Sequence, residues 1–297
     1  MTDVDRRSEL ARTEGRNLPI RRSELARTEG RNPQSRTRRY ARVGRLDWAG
    51  LQGVLVREIV NFSSYWRGTT FSSTMEPTVY LLAFGFGFGS LVSQVAGYDY
   101  VDFVGTGTVA TAVLFSSAFP AMFGTFVKAT FQHTYDAILA APVDTEEIVT
   151  AEALWMASRA GTYGCVPMLV AIAFGLDPRV DMLVVPFIAL LAGFGWACFG
   201  ILIAGFMKGI ENFSYVTSGI LTPMMLTAGT FFPLSGLPQW AQVLGNFNPL
   251  HHCVELVRHA SFGWDPGADL LHLLALIVFA FVTWRIAVFA LQRKLVT

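Results

Sequence analysis

The chain has 297 residues, of which 52% are apolar and only 15% charged, with a mean hydropathy of +0.42. Water-soluble domains carry roughly 25% charge, so this composition excludes an ordinary soluble enzyme. The formal charge of +1 conceals an uneven distribution, because 15 of the 23 Lys and Arg residues lie within the first 67 positions.

Residues 1–45 form a basic tail in which the segment RRSELARTEGRN occurs twice, at Arg6–Asn17 and Arg21–Asn32. Two copies are too few for a solenoid, and Leu10, Ala11, Leu25 and Ala26 offer almost nothing to pack. The tail is expected to be a disordered cytosolic segment whose arginines touch anionic membrane lipids. Its twin arginines lack the apolar stretch a secretion signal needs. Over 46–68 the aromatic and aliphatic residues Trp48, Leu51, Leu55, Ile59, Phe62 and Trp66 recur at threes and fours. That spacing predicts an amphipathic helix lying in the membrane interface.

Residues 69–297 read as a six-span, all-α membrane domain, since a span needs about 20 mostly apolar residues. The spans are expected at Met75–Val95, Gly105–Ala129, Ile148–Phe174, Met182–Met207, Phe213–Phe232 and Leu270–Leu291. Pro120 predicts a kink in the second, while Pro223, Gly229 and Pro233 make the fifth the least regular. The basic tail, Lys128, Lys208 and the Arg293–Lys294 pair point to the cytosolic face, and Asp99 with Asp102 to the outer face. An even span count then puts both termini in the cytoplasm of a multi-pass cell-membrane protein. Arg159, Lys208, Glu211 and Arg285 lie in or beside spans, where a charge signals function by default, although Arg285 can snorkel and Lys208 reads as a topology anchor. Glu152 and Arg159 are seven apart, too far for a simple pair. The three cysteines, Cys165, Cys198 and Cys253, are too scattered for a disulfide framework or a metal knuckle.

Between the second and third spans, His133 to Glu152 is polar and cytosolic. Tyr135, Ile138 and Leu139 form an apolar edge, and Asp144 with Thr145, Glu146 and Glu147 reads as a helix start. After the fifth span, Pro233, Gly236 and Pro238 predict one turn and Asn248–Pro249 another, separating two short helices. Adjacent His251 and His252 diverge by about 100° on a helix. His251, Glu255 and His259 make one polar stripe. The segment is not HExxH, and no fourth ligand is evident, so a structural polar face outweighs a metal or acid–base site.

The stretch LTPMMLTAGTFFPLSGLPQWAQVLGNFNPLHHCVELVRHA, Leu221 to Ala260, resembles the permease subunits of type-2 ABC exporters, in the nodulation protein J and daunorubicin-resistance permease branch. The likeness runs from about Leu46 to the C-terminus and leaves the duplicated tail outside. It implies a six-span permease working as a homodimer or a pseudo-symmetric heterodimer, with an N-terminal interface helix. It also implies a cytosolic coupling helix within His133–Glu147 and re-entrant extracellular half-helices after the fifth span. ATP would be bound by a separate ABC ATP-binding subunit, and the string GFGFG, which lacks a GxxxxGK[ST] frame, agrees with a chain that holds no nucleotide or other cofactor. The resemblance implies export of an amphipathic molecule such as a lipo-oligosaccharide, a glycolipid or a drug, with no covalent chemistry and no nucleic-acid partner. Tyr135, Asp136, Asp144 and Glu146 would couple to the ATPase. Phe231, Phe232, Pro233, Trp240, Asn248, Pro249 and His252 would form the extracellular gate. Two rival readings are an integral-membrane enzyme using His251, Glu255 and His259, and a non-transporting anchor that recruits proteins through the basic tail.

Overall fold

In the computed structural model, the described residues are 47–89, 91–92, 94–95 and 97–296, so the duplicated tail expected over 1–45 lies outside them. Helix α1, Trp48–Ser63, starts where the Asp47 carboxylate accepts from the Ala49 amide. It buries Leu51, Val54 and Glu58 against α5, leaving Trp48, Val56, Ile59 and Val60 exposed. Helix α2, Trp66–Gly89, runs beside α3. A two-stranded antiparallel hairpin follows, β1 Gln94–Val95 paired with β2 Tyr98–Asp99, turning at Gly97 with φ +87°. That left-handed backbone suits a residue without a Cβ.

The next segment is the axis of the molecule. Helix α3, Tyr100–Thr130, has 31 residues and is about 46 Å long at 1.5 Å per residue. It is followed by the short α4, Thr134–Ile138, by α5, Thr145–Tyr163, and by α6, Cys165–Ala173. A 3₁₀ turn at Val180–Val184 leads into α7, Val185–Phe206. Helix α7 packs between α3, α5 and α12. It approaches closely because it presents glycine: a Cβ on Gly200 would lie 2.5 Å from the Ala118 carbonyl of α3. Beyond it come α8 (Phe213–Val216), a π turn (Thr217–Leu221), α9 (Thr222–Leu226), a 3₁₀ turn (Leu234–Gly236), α10 (Gln239–Phe247), α11 (Pro249–Phe262) and α12 (Pro266–Val296).

The expectation of six spans is corrected by these elements. Among the described residues, three helices are long and apolar enough to cross a membrane: Tyr100–Thr130, Val180–Phe206 and Pro266–Leu295. The other three candidates fail for physical reasons. Helix α2 is long, but its first half holds Thr69, Thr70, Ser72, Ser73 and Thr74. The expected third span divides after Tyr163, because Pro167 has no amide for the Tyr163 carbonyl. The expected fifth is cut into α8, a π turn and α9, where Pro223 leaves the Gly219 carbonyl without its usual donor. The even-count argument for both termini on one side falls with the count.

Two further expectations are corrected. No coupling helix is indicated, since α4 is only five residues long and buries Tyr135 completely. No re-entrant half-helices are indicated either. The prolines do mark off α10 and α11, but α11 lies buried along α3 and α12 as part of the core, with α10 against it.

Candidate functional site

Two polar constellations stand out in an apolar body. The first ties four helices together. The Lys128 ammonium at the end of α3 lies 2.8 Å from Glu58 Oε1 of α1 and 2.9 Å from Glu152 Oε1 of α5. The Tyr135 hydroxyl of α4 donates to Glu152 Oε2 at 2.7 Å, and Arg57 donates to Glu58 at 2.9 Å. Glu58, Tyr135 and Glu152 are each at most 3% exposed, so the ions are removed from water and hold only because each carboxylate has donors. Burial, with the Glu152 carboxylate beside it, pushes the Tyr135 phenol well above its ordinary range, so it stays a hydrogen-bond donor. Next to this knot, Glu147 accepts from the Asp47 amide at 2.7 Å and reaches back to the Asp144 amide at 3.0 Å, closing the first turn of α5.

The structure scatters the four expected coupling residues. Tyr135 and Glu146 are buried, Asp144 is half-buried at the start of α5, and only Asp136 is exposed, 3.2 Å from His133 Nδ1.

The second constellation gathers four of the five histidines between α11 and α12. His252 Nδ1 meets His272 Nδ1 at 2.7 Å, which requires one ring to donate and the other to keep its lone pair. His259 Nδ1 meets Asp269 Oδ1 at 2.5 Å. The Arg258 guanidinium donates to Glu255 at 2.7 Å and to the Gly229 carbonyl at 3.0 Å, and lies 3.9 Å over the Phe103 ring. Glu255 therefore belongs to Arg258, with His251 and His259 at 4.0 and 3.9 Å. His251 Nδ1 instead faces the Ala228 carbonyl at 3.0 Å. Burial, reinforced by the neighbouring imidazoles of His272 and His251, lowers the His252 pKa to about 4. A cavity of about 330 Å³ opens beside Tyr98, His251, Glu255, Arg258, His259 and His272. Among the described residues, no three His, Cys, Asp or Glu side chains are placed to hold a metal ion.

Of the seven expected gate residues, only Pro233 lines that cavity. Phe231 packs on Phe84, with ring centroids 4.5 Å apart. Asn248 is buried, donating to the Met224 carbonyl at 2.6 Å and accepting from the Leu250 amide at 3.0 Å, which starts α11 at Pro249. Phe232 and Trp240 are exposed, and His252 faces His272.

Sequence reading missed Glu58, which it left off the apolar line of α1, and the α12 residues His272 and Asp269. Glu58 carried no local sign, since its partner Lys128 is 70 residues away. His272 and Asp269 did carry one: they are polar side chains in the first turns of an otherwise apolar helix.

Comparison with known proteins adds an independent line. A family described as ABC-2 type transporter matches residues 50–262. Nodulation protein J of Sinorhizobium fredii is 31% identical over 261 residues, covering 84% of this chain and all of that protein. Nodulation protein J of Rhizobium meliloti is 29% identical, covering 77% of this chain and 89% of the relative. The inner membrane transport permease YadH of Escherichia coli K12 is 25% identical, covering 84% and 96%.

Proposed function

Because this chain belongs to the ABC-2 type transporter family, as a membrane-embedded permease subunit that pairs with an ABC ATP-binding subunit, we propose that it exports an amphipathic molecule from the cytoplasm. The cargo class is a lipo-oligosaccharide, a glycolipid or a drug, and ATP is bound and hydrolysed on the separate subunit. The working unit contains two permease chains, identical or closely related. The basic N-terminal tail is placed on the cytosolic face by its arginines. Helix α1, with Trp48, Val56, Ile59 and Val60 outward, rests in the interface against membrane lipid.

The observation that supports this reading best is the buried knot of Glu58, Lys128, Glu152 and Tyr135. An ATPase pressing on the exposed surface at Asp136 acts on α4, which the Tyr135–Glu152 hydrogen bond fastens to the ion pairs joining α5, α1 and the membrane-crossing helix α3. Asp144 and Glu146 at the start of α5 are further coupling residues. Movement outside is thereby passed to the span instead of being absorbed by a loop.

Co-reconstitution with the partner ATPase tests it. Replacing Tyr135 by Phe together with Asp136→Ala is expected to lower permease-stimulated ATP hydrolysis severalfold while the chain stays folded. Undiminished stimulation would remove the coupling assignment. ATP-dependent accumulation of a labelled lipo-oligosaccharide in inverted vesicles tests the direction of transport.

A further inference from the structure

Arg159 has no role in either constellation. It sits on α5 at 6% exposure, yet among the described residues no carboxylate pairs with it. Its Nε and Nη2 find no hydrogen-bond acceptor. Nη1 meets the Met156 sulfur at 3.6 Å, and the guanidinium lies 5.0 Å from the Phe62 ring centroid and 5.9 Å from that of Tyr163. The Tyr163 side chain also interacts with the guanidinium, and Glu58 acts on it only from beyond pairing distance. A guanidinium cannot discard its charge at any physiological pH, and a buried ion without a counter-ion is costly. Folds keep such a group when a ligand supplies the missing partner.

The room for that ligand is present. Arg159 forms part of the lining of a cleft of about 550 Å³ between α2 and α3. On one side are the hydroxyl side chains Thr69, Ser72 and Ser73, and on the other Phe115, Phe119 and Phe123, the first two stacked at 4.9 Å. Ser72 also borders a second groove, of about 590 Å³, whose lining is almost wholly apolar and includes Met75, Val79 and Phe84. Ser72 is common to the two linings, both of which use α2. A cation with hydroxyl donors at one end and an aromatic, aliphatic track leading away match a molecule with an anionic group on an apolar chain. The α3 residues that line the cleft run from Ala112, near the middle of that helix, to Phe123, so the site reaches along the span instead of ending at its surface.

We propose that the Arg159 cleft is a binding site for the anionic group of an amphiphile, a phosphate, sulfate or carboxylate, whose apolar chain lies along α2. This deepens the permease reading, on which it rests, by assigning the cargo a negative charge. Guanidinium forks bind such groups through paired N–H donors, and the unsatisfied Nε and Nη2 are such a pair; both are covered here, so binding requires the side chain to turn towards the cleft.

The test is equilibrium binding by the full chain in phosphatidylcholine nanodiscs, without ATP or partner. Failure here is therefore distinguishable from failure of export. The probes are a fluorescent lysophosphatidic acid, the uncharged monoacylglycerol with the same labelled chain, and inorganic phosphate. The charged lipid is expected to bind saturably and at least about tenfold tighter than the neutral one. Inorganic phosphate should not displace it at millimolar concentration. Arg159→Gln should erase the preference and Arg159→Lys should retain part of it. Ser73→Phe, which fills the cleft and leaves the arginine in place, should abolish binding and decides the matter if Arg159→Gln does not fold. Equal affinity for the two lipids, a preference that survives both Arg159→Gln and Ser73→Phe, or displacement by free phosphate would each overturn the proposal.

Discussion

Lys128 shows how one side chain is held at a price in solvation and returns it in connectivity. It neutralises Glu58 and Glu152 together, with contacts of 2.8 and 2.9 Å, in a place where neither carboxylate reaches water. Removing it leaves two buried anions, and breaking a buried pair costs about 3–5 kcal/mol. Lys128→Met is accordingly expected to be destabilised by about that amount in denaturation of the purified chain. Lys128→Arg, which keeps the charge, should lose less, and equal losses would point to packing instead. His252 makes a different prediction. Its folded-state pKa is depressed to about 4, whereas an unfolded imidazole titrates near about 6.5. Between those values the unfolded chain binds more protons, so stability is complete above about pH 6.5 and drains as pH falls towards 4. The charged and titratable neighbours are His251, Glu255, Arg258 and His259 on α11, with Asp269 and His272 on α12. The thermal midpoint should fall more steeply on acidification in the parent chain than in His252→Phe, and parallel curves would contradict this.

At the scale of elements, prolines and glycines decide what the apolar runs become. Pro167 and Pro223 divide two stretches that composition alone would pass as spans. Gly200 does the opposite, allowing α7 to lie against α3 so closely that an added Cβ meets backbone at Ala118. Gly200→Leu has nowhere to go without moving a helix, and is expected to cost about 1–3 kcal/mol or more. A lowered thermal midpoint, with normal helix content by circular dichroism, is the expected result. Much at this scale was legible in the sequence. The cores of α3, α7 and α12 were found from length and hydropathy, the start of α5 from Asp144 to Glu147, and the start of α11 from Asn248–Pro249. The division of α5 from α6 was missed although Pro167 marks it, because the stretch stays apolar across that proline and reads as one continuous span.

For the whole molecule, the outer face of α12 is the clearest sign of surroundings. Leu271, Leu274, Val278, Phe281 and Phe289 are all more than 45% exposed along one helix that is long enough to cross a bilayer. Lipid is the solvent that such a surface fits. An arginine at the middle of a membrane helix costs about 2.5–3.5 kcal/mol in insertion. Val278→Arg is therefore expected to reduce the carbonate-resistant, membrane-integrated fraction, while the same change at exposed Asp136 should not. Equal integration of both variants would mean that α12 does not face lipid.

The sequence alone determined the class of environment, the basic beginning and the family likeness, and it included the three longest apolar helices among six expected spans without separating them from the rest. These depend on composition and local order, which survive without knowledge of contacts. The tertiary structure decided the charge knot, the histidine gathering and the isolation of Arg159. Each depends on side chains tens of residues apart meeting, or failing to meet, in an interior where water cannot substitute for a missing partner.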